Sequence, residues 1–566
     1  MKIRRFHRKR DLLIALCMGV SLLITSCSKI DDPIIPEKPT ITPEPEVPTA
    51  TDMPKSIAEC VSTDIEALQA IAKENPEVKL FEGEDPSKWK AISLKWEKNE
   101  EGKYTVSEFT IPEDAKISTD ILIKIGDTEQ KKMLNLQSFK IKSANVKGQI
   151  IINNCPLLAL VELDGLKQAK ATEVTASGNT ALKQFSISGF PAMTTVHLIG
   201  KGDLDKVTLA NLPSLKDEFK IQDGYNQETE TLETISAKEL VLEGDLSKLD
   251  YLYLQGIGLQ KIDYSRASLP LLATLTLTKN NLEGELTVNG LDNLDHLTLG
   301  NNKLTSVTVS NCAKLREFDV STNKDLTQLT LSGLPALKII DANATKLSSW
   351  DLSNQAALTG VSAYKSQLTA VTLPVNAPAL AKINLGDNLL TEFSYTNASI
   401  EYLILDGNQL TTLDASAMTN IDLLQVKRNR LENLTVGDNN SKLTELACDD
   451  NKLHYSKLVA IIDKHPAIKF TYAPQYVLNT PGVVVDEQYG DITIPANNDG
   501  AGFYFFAAKK TEAGWDEAPR GESSRYQNTF SFYGTGKYAI AGSSWIKLKG
   551  FTVEKPYIIA EIEKKS

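Results

Sequence analysis

Leucines and other large apolar residues return along the middle of this chain every 21 or 22 residues. One stretch reads Leu272-x-x-Leu275-x-Leu277-x-x-Asn280-x-Leu282 and the next Leu294-x-x-Leu297-x-Leu299-x-x-Asn302-x-Leu304. The series runs on to Leu443-x-x-Leu446-x-Cys448-x-x-Asn451-x-Leu453. Alternation inside each stretch predicts a short strand with its leucines pointing inward. A second apolar run lies between these, as in Leu326-Thr327-Gln328-Leu329-Thr330-Leu331, so strand centres fall 10 to 12 residues apart. Each coil therefore carries two short strands of opposite facing. Looser half-repeats extend upstream through Val161, Val174, Phe185, Val196 and Val207, while residues 216–235 break the pattern and read as an insertion or irregular coil. No coil can bury its apolar side alone, so stacking into a solenoid is obligatory. Roughly fourteen coils at about 4.8 Å each predict a body about 65 Å long.

Asn280, Asn302, Asn323, Asn388, Asn408, Asn429 and Asn451 form a column where each strand ends. An inward amide there can satisfy backbone groups of its own turn and of the neighbouring coil. Thr345 and Ser366 stand in two adjacent coils where Asn is expected, which predicts a looser column locally. These motifs resemble the Bacteroidetes and internalin-like leucine-rich-repeat families over about 300 of the 566 residues. The resemblance implies a scaffold with one long recognition face. One departure is that only Cys448 retains the cysteine that some of these families repeat in every coil.

The expected fold is mainly β: a leucine-rich-repeat solenoid with two short strands per coil, a small α/β amino-terminal cap and a carboxy-terminal antiparallel β-sandwich. The cap is read over residues 57–135, the solenoid over 136–474 and the sandwich over 475–566. Thr63-x-x-Glu66 suggests a capping box for a helix that places Ile65, Leu68 and Ile71 on one side and ends near Pro76. Trp89, Ile92, Leu94 and Trp96 follow, then a turn at 99–102 and an alternating strand with Tyr104, Val106, Phe109 and Ile111. Such a cap is needed because the first coil would otherwise expose its core. From Gln475 onward there are seven Tyr, six Phe and two Trp in 92 residues. Strands are predicted there at 483–485, 491–494, 503–509, 529–533, 537–541, 546–551 and 557–562, a spacing that suits a sandwich.

The amino terminus carries an address. Lys2, Arg4, Arg5, Arg8, Lys9 and Arg10 precede an apolar run over residues 12–24, too short to span a bilayer comfortably. Ile24-Thr25-Ser26-Cys27 resembles a bacterial lipobox, which implies removal of residues 1–26 and acylation of Cys27. Ser28-Lys29-Ile30-Asp31-Asp32 resembles the acidic export signal of Bacteroidetes surface lipoproteins, interrupted by Lys29. An outer-membrane lipoprotein exposed at the cell surface is expected, with a periplasm-facing anchor as the alternative. Residues 27–56 join the lipidated cysteine to a linker rich in proline, which favours extended conformations and lifts the folded part off the membrane.

Loss of the leader leaves 55 Lys and Arg against 71 Asp and Glu, a net charge of −16. That balance disfavours nucleic acid as a partner. Cys60, Cys155, Cys312 and Cys448 are widely spaced and indicate neither a disulfide framework nor a zinc site, and Cys448 takes a leucine position as a small buried hydrophobe. His197, His296, His454 and His465 show no metal-ligand spacing, and neither an HExxH nor a G-x-S-x-G motif occurs. Gly534-Thr535-Gly536-Lys537-Tyr538 lacks the earlier glycine and the hydroxyl of a phosphate loop and reads as a hairpin turn; Asn497-Asn498-Asp499-Gly500 is a turn signal too. No enzyme activity, metal or cofactor is expected.

Residues interleaved with the ladder leucines should line the concave face. Tyr251, Tyr253 and Tyr364 belong to it, and Tyr402, Ile404 and Leu423 are expected to form an exposed apolar cluster flanked by Lys427 and Arg428. Aromatic and apolar groups beside an arginine are what binding hot spots favour. The leading reading is protein recognition or adhesion, with a host or bacterial surface protein as partner. The alternative is capture of surface polysaccharide by carboxy-terminal aromatics near turns, Trp515, Tyr526 and Trp545, since exposed rings stack on sugar faces.

Overall fold

The computed structural model describes residues 53–564 except 77–82, 90–91, 113–120, 127–132, 145, 227–230, 396, 454, 473–474, 476–483, 487–490, 494–502, 512–513, 518–522, 527–528, 534–535 and 545–556. The lipobox, with Cys27, lies outside the described residues.

The ladder folds as its alternation requires. Eleven strands of three residues, from Tyr251–Tyr253 to Lys469–Thr471, pair in parallel into one sheet. The middle residue of each points inward, so Leu252, Leu275, Leu297, Phe318, Ile340, Val361, Ile383, Leu403, Leu424, Leu446 and Phe470 stack as one buried column. The chain crosses between this sheet and an opposite wall once per coil. Upstream, that wall is an eight-stranded sheet running from Ser93–Lys98 to Lys261–Ser268. Downstream, it breaks among the described residues into groups of three, two and two strands. Together the coils make a mainly β solenoid of about 14 turns.

Asparagine amides bind the coils together. Asn302 accepts the Leu282 N–H at 3.1 Å and donates to the Leu277 and Leu299 carbonyls at 2.9 and 2.8 Å. Equivalent bonds recur at Asn280, Asn388, Asn408, Asn429 and Asn451. Thr345 and Ser366 both donate to the Ala342 carbonyl instead, at 3.1 and 2.8 Å. A hydroxyl has one proton to give where an amide has two, so the column thins there without breaking. Gln475, just past the 136–474 stretch, is the last rung: it accepts from Leu453 N–H and donates to the Cys448 and Tyr472 carbonyls.

One expectation at the cap is corrected. The first helix is Ser62–Glu74 with Val61 at its N-cap, so Thr63 lies inside the first turn and makes no capping bond. Asp64 takes the structural role instead. Its Oδ2 accepts from Thr105 Oγ1 at 2.6 Å and Val106 N–H at 2.8 Å, fastening the helix to the strand Tyr104–Ile111, and burial pushes its carboxyl up. Ile65, Leu68 and Ile71 are buried as expected, and Trp89 and Trp96 meet at 6.5 Å. Residues 216–235 form an irregular coil with an insertion, as expected: a six-stranded sheet of the upstream coils ends there, and the eleven-stranded sheet begins at Tyr251–Tyr253. Glu218–Asn226 pairs in parallel with Thr195–Gly200, burying Phe219 and Ile221, and the added strand Thr231–Glu233 pairs with it antiparallel.

Among the described residues, two four-stranded antiparallel sheets follow the solenoid. Five of the expected strands are present as Val484–Asp486, Asp491–Thr493, Phe503–Thr511, Thr529–Phe532 and Gly536–Ser544, and a sixth as Tyr557–Lys564. The stretch 546–551 lies outside the described residues. Gly514–Glu517 and Ser523–Tyr526 are strands the sequence pattern did not suggest. Buried rings of Phe532 and Tyr538, one from each sheet, meet at 5.0 Å. The turn expected at 534–538 falls partly on residues 534–535, which lie outside the described residues; the strands before and after them, Thr529–Phe532 and Gly536–Ser544, belong to different sheets. The turn expected at 497–500 lies outside the described residues. Cys60, Cys155, Cys312 and Cys448 are free and buried; burial pushes the Cys60 and Cys155 thiols up to about 12.

Candidate functional site

The outward side of the eleven-stranded sheet carries two side chains per strand, in rows fixed by the register. Tyr251 and Tyr253 occupy the first strand, 42% and 48% exposed, with rings 6.2 Å apart and 3° from parallel. The Tyr253 hydroxyl donates to Gln255 Oε1. Seven strands on, Tyr402 stands directly opposite Leu423, and Ile404 opposite Gln425. These three apolar residues are together, as the spacing predicts, but they are half-buried rather than fully exposed. The Lys382 ammonium lies 5.5 Å from the Tyr402 ring and covers part of it, a cation–π contact.

Tyr364, Lys427 and Arg428 are not strand residues. They sit in the turns that follow Gly360–Ser362 and Leu423–Gln425. The Tyr364 ring lies over Gly386, where an added Cβ would meet its Cδ2 at 3.3 Å, and the Lys365 ammonium is 5.0 Å from the ring. Both basic residues are already engaged. Lys427 reaches Asp406 Oδ2 at 3.6 Å while its N–H donates to Asp406 Oδ1 at 2.7 Å, and Arg428 donates to Asp387 Oδ1 at 2.8 Å. Burial pushes the Asp406 carboxyl up, opposed by the Lys427 N–H and the nearby cations. The pair flanking the apolar cluster is thus a set of ion pairs rather than two free cations.

The sheet also carries an acidic stretch that the candidate residues omitted. Asp319 and Asp341 stand opposite one another in register. Each Oδ1 accepts the backbone N–H two residues on, from Ser321 and Asn343, both at 2.9 Å. Neither carboxylate has a cationic partner among the described residues. Burial, with the charge of Asp319 adding to it, pushes the Asp341 carboxyl up to about 6. Nearby, His296 lies between Asp295 at 3.2 Å and Glu317 at 3.5 Å, and Arg316 pairs with Asp295 through two nitrogens. The residues that form this row were legible in the period, but nothing in the spacing marks two of them as unneutralised.

The aromatics of the alternative reading are not brought together by strand pairing. Trp515 lies in Gly514–Glu517 and Tyr526 in Ser523–Tyr526, edge strands of different sheets. Trp545 lies outside the described residues. Among the described residues no group of three or more His, Cys, Asp or Glu is arranged to hold a metal ion, and no helix is long and apolar enough to cross a membrane.

These strands, rungs and rows define a leucine-rich-repeat solenoid. No protein-family model matches the chain, and no curated protein matches it in sequence. Among solved structures it is similar to the functional domain of InlJ from Listeria monocytogenes, at 17% identity and a TM-score of 0.35, covering 81% of this chain and 90% of that one. A leucine-rich-repeat protein of Leptospira interrogans is similar at 17% identity and a TM-score of 0.33, covering 61% and 86%. One from Bacteroides eggerthii is similar at 13% identity and a TM-score of 0.24, covering 75% and 96%. These likenesses are distant, and the fold rests on the chain's own strand pairing.

Proposed function

We propose that this chain is a surface-exposed lipoprotein, anchored through Cys27, that recognises a protein through the outward side of its eleven-stranded sheet and serves in adhesion. One observation carries the reading: the outward side of this long sheet holds Tyr402, Ile404 and Leu423 as contiguous half-buried apolar surface. Large apolar groups fixed on strands lose little entropy on binding, and such groups dominate interface energies. Asparagine rungs and interlocked turns hold the rows in place, so the face is organised before any partner arrives. The lipobox and the proline-rich segment support display away from a membrane. We assign the protein no enzymatic role.

The reading is tested by probing extracellular-matrix proteins, mucins and a glycan array with the soluble chain from residue 53 onward. Saturable protein binding supports it. Glycan binding lost in Trp515→Ala or Tyr526→Ala, with no protein bound, replaces it with polysaccharide capture.

A further inference from the structure

The outward rows differ along the sheet in a way that specifies what the face can accept. Asp319 and Asp341 are in register with Thr298 on one side and Ser362 on the other. Their turn-forming role needs no charge. Asn384, in the same row, accepts the N–H two residues on at 3.2 Å with a neutral amide. Two like charges opposite one another on adjacent strands are destabilising, and desolvation adds to the cost. Gly300 leaves room for the first carboxylate, since a Cβ there would come within 2.8 Å of Asp319 Oδ2. Thr298, beside it, has a buried hydroxyl oxygen with no hydrogen-bond partner. One strand past Asp341 the relief drops: a Cβ on Gly360 would meet only Lys382 Cβ, at 4.0 Å. Three strand spacings past Asp341, about 14 Å along the sheet, stands Ile404, with Tyr402 on the same strand.

We infer that the partner presents a lysine or arginine side chain that seats at Asp319 and Asp341, and an apolar side chain about 14 Å away that seats on Tyr402, Ile404 and Leu423. This rests on the protein-recognition reading above and gives it a partner chemistry. The cation supplies the positive charge that the paired carboxylates lack. The low floor at Gly360 and Ser362 lets the partner's backbone run between the two seats. In an extended segment the separation corresponds to about four residues, which places both side chains on the same side. Salt should weaken the contact through its charged half only.

The test uses a phage-displayed library of random dodecapeptides selected on the soluble chain from residue 53 onward. Enriched peptides should carry Lys or Arg four positions from a large apolar residue. Their affinity should fall at least tenfold in Asp319→Asn combined with Asp341→Asn, and by a similar factor in Tyr402→Ala combined with Leu423→Ala. The asparagine variants keep the two turn bonds and relieve the like-charge pair, so a melting temperature at or above that of the parent separates lost recognition from lost folding. Peptides sensitive to the apolar pair but not to the asparagine pair overturn the cation seat and leave the protein-recognition reading standing. Peptides indifferent to both pairs, or no enrichment, overturn both.

Discussion

Arg428 and Asp387 are joined across two coils: Nη2 donates to Oδ1 at 2.8 Å over a separation of 41 residues. The coil between them contributes Gly407, whose φ is +66° and whose missing Cβ would stand 2.1 Å from Asp387 Oδ1 and 3.3 Å from Arg428 Nη2. The glycine thus serves the backbone and the ion pair at once. Gly407→Ala should cost about 2 kcal/mol, from left-handed strain and from the displaced carboxylate. Arg428→Ala removes a partly exposed pair and should cost under about 1 kcal/mol. Urea unfolding of the two variants checks the order; equal losses would mean the glycine has no part in the bridge.

The rungs predict a graded series. Asn302→Ala leaves one buried N–H and two carbonyls short of a partner and should cost about 3 kcal/mol or more. Ser366→Ala removes one hydroxyl donation, to the Ala342 carbonyl, and a long acceptance from the Thr345 N–H at 3.4 Å, and should cost about 1–2 kcal/mol. Thermal melts of both variants decide it, and a larger loss at Ser366 would contradict the account of the column.

Asp341 gives stability a pH dependence of known sign. Its carboxyl titrates near 6 when folded, above the ordinary 3.8. Below about pH 4 it is protonated in both states and nothing is lost; the cost develops as pH rises and is complete above about 6. Asp341→Asn should therefore stabilise the protein by about 2 kcal/mol near neutral pH and leave it unchanged near pH 3. Denaturation midpoints at the two pH values read this directly.

Lipidation of Cys27 has a simple readout. Cells fed a labelled fatty acid should label the parent protein and not Cys27→Ser, which should leave the membrane fraction. Retained label would remove the anchor from the proposal.

The inward half of this molecule was legible in the sequence because burial demands the same residue types at every coil. Leu297 and Asn302 recur at fixed offsets since each coil repeats the same contacts with its neighbours. What escaped depends on contacts the period does not encode. Thr63 and Glu66 have the spacing of a capping box, yet Asp64 is drawn inward by Thr105 and Val106, some forty residues away. Gln475 escaped because one methylene more disguises a rung. The outward rows could be named by offset, but not how Lys382 would shade Tyr402 or how Asp387 would hold Arg428. Alternation tells which side a residue faces and is silent on who covers it.

The central claim is that recognition belongs to the outward side of the eleven-stranded sheet. Its most direct test is the affinity of two double variants for whichever matrix or mucin protein the parent binds. Tyr402→Ala with Leu423→Ala should weaken binding at least tenfold. Asn433→Ala with Thr435→Ala, exposed on the opposite wall, should leave it unchanged. Unaltered binding in the first variant, or an equal loss in the second, would contradict the assignment of the face.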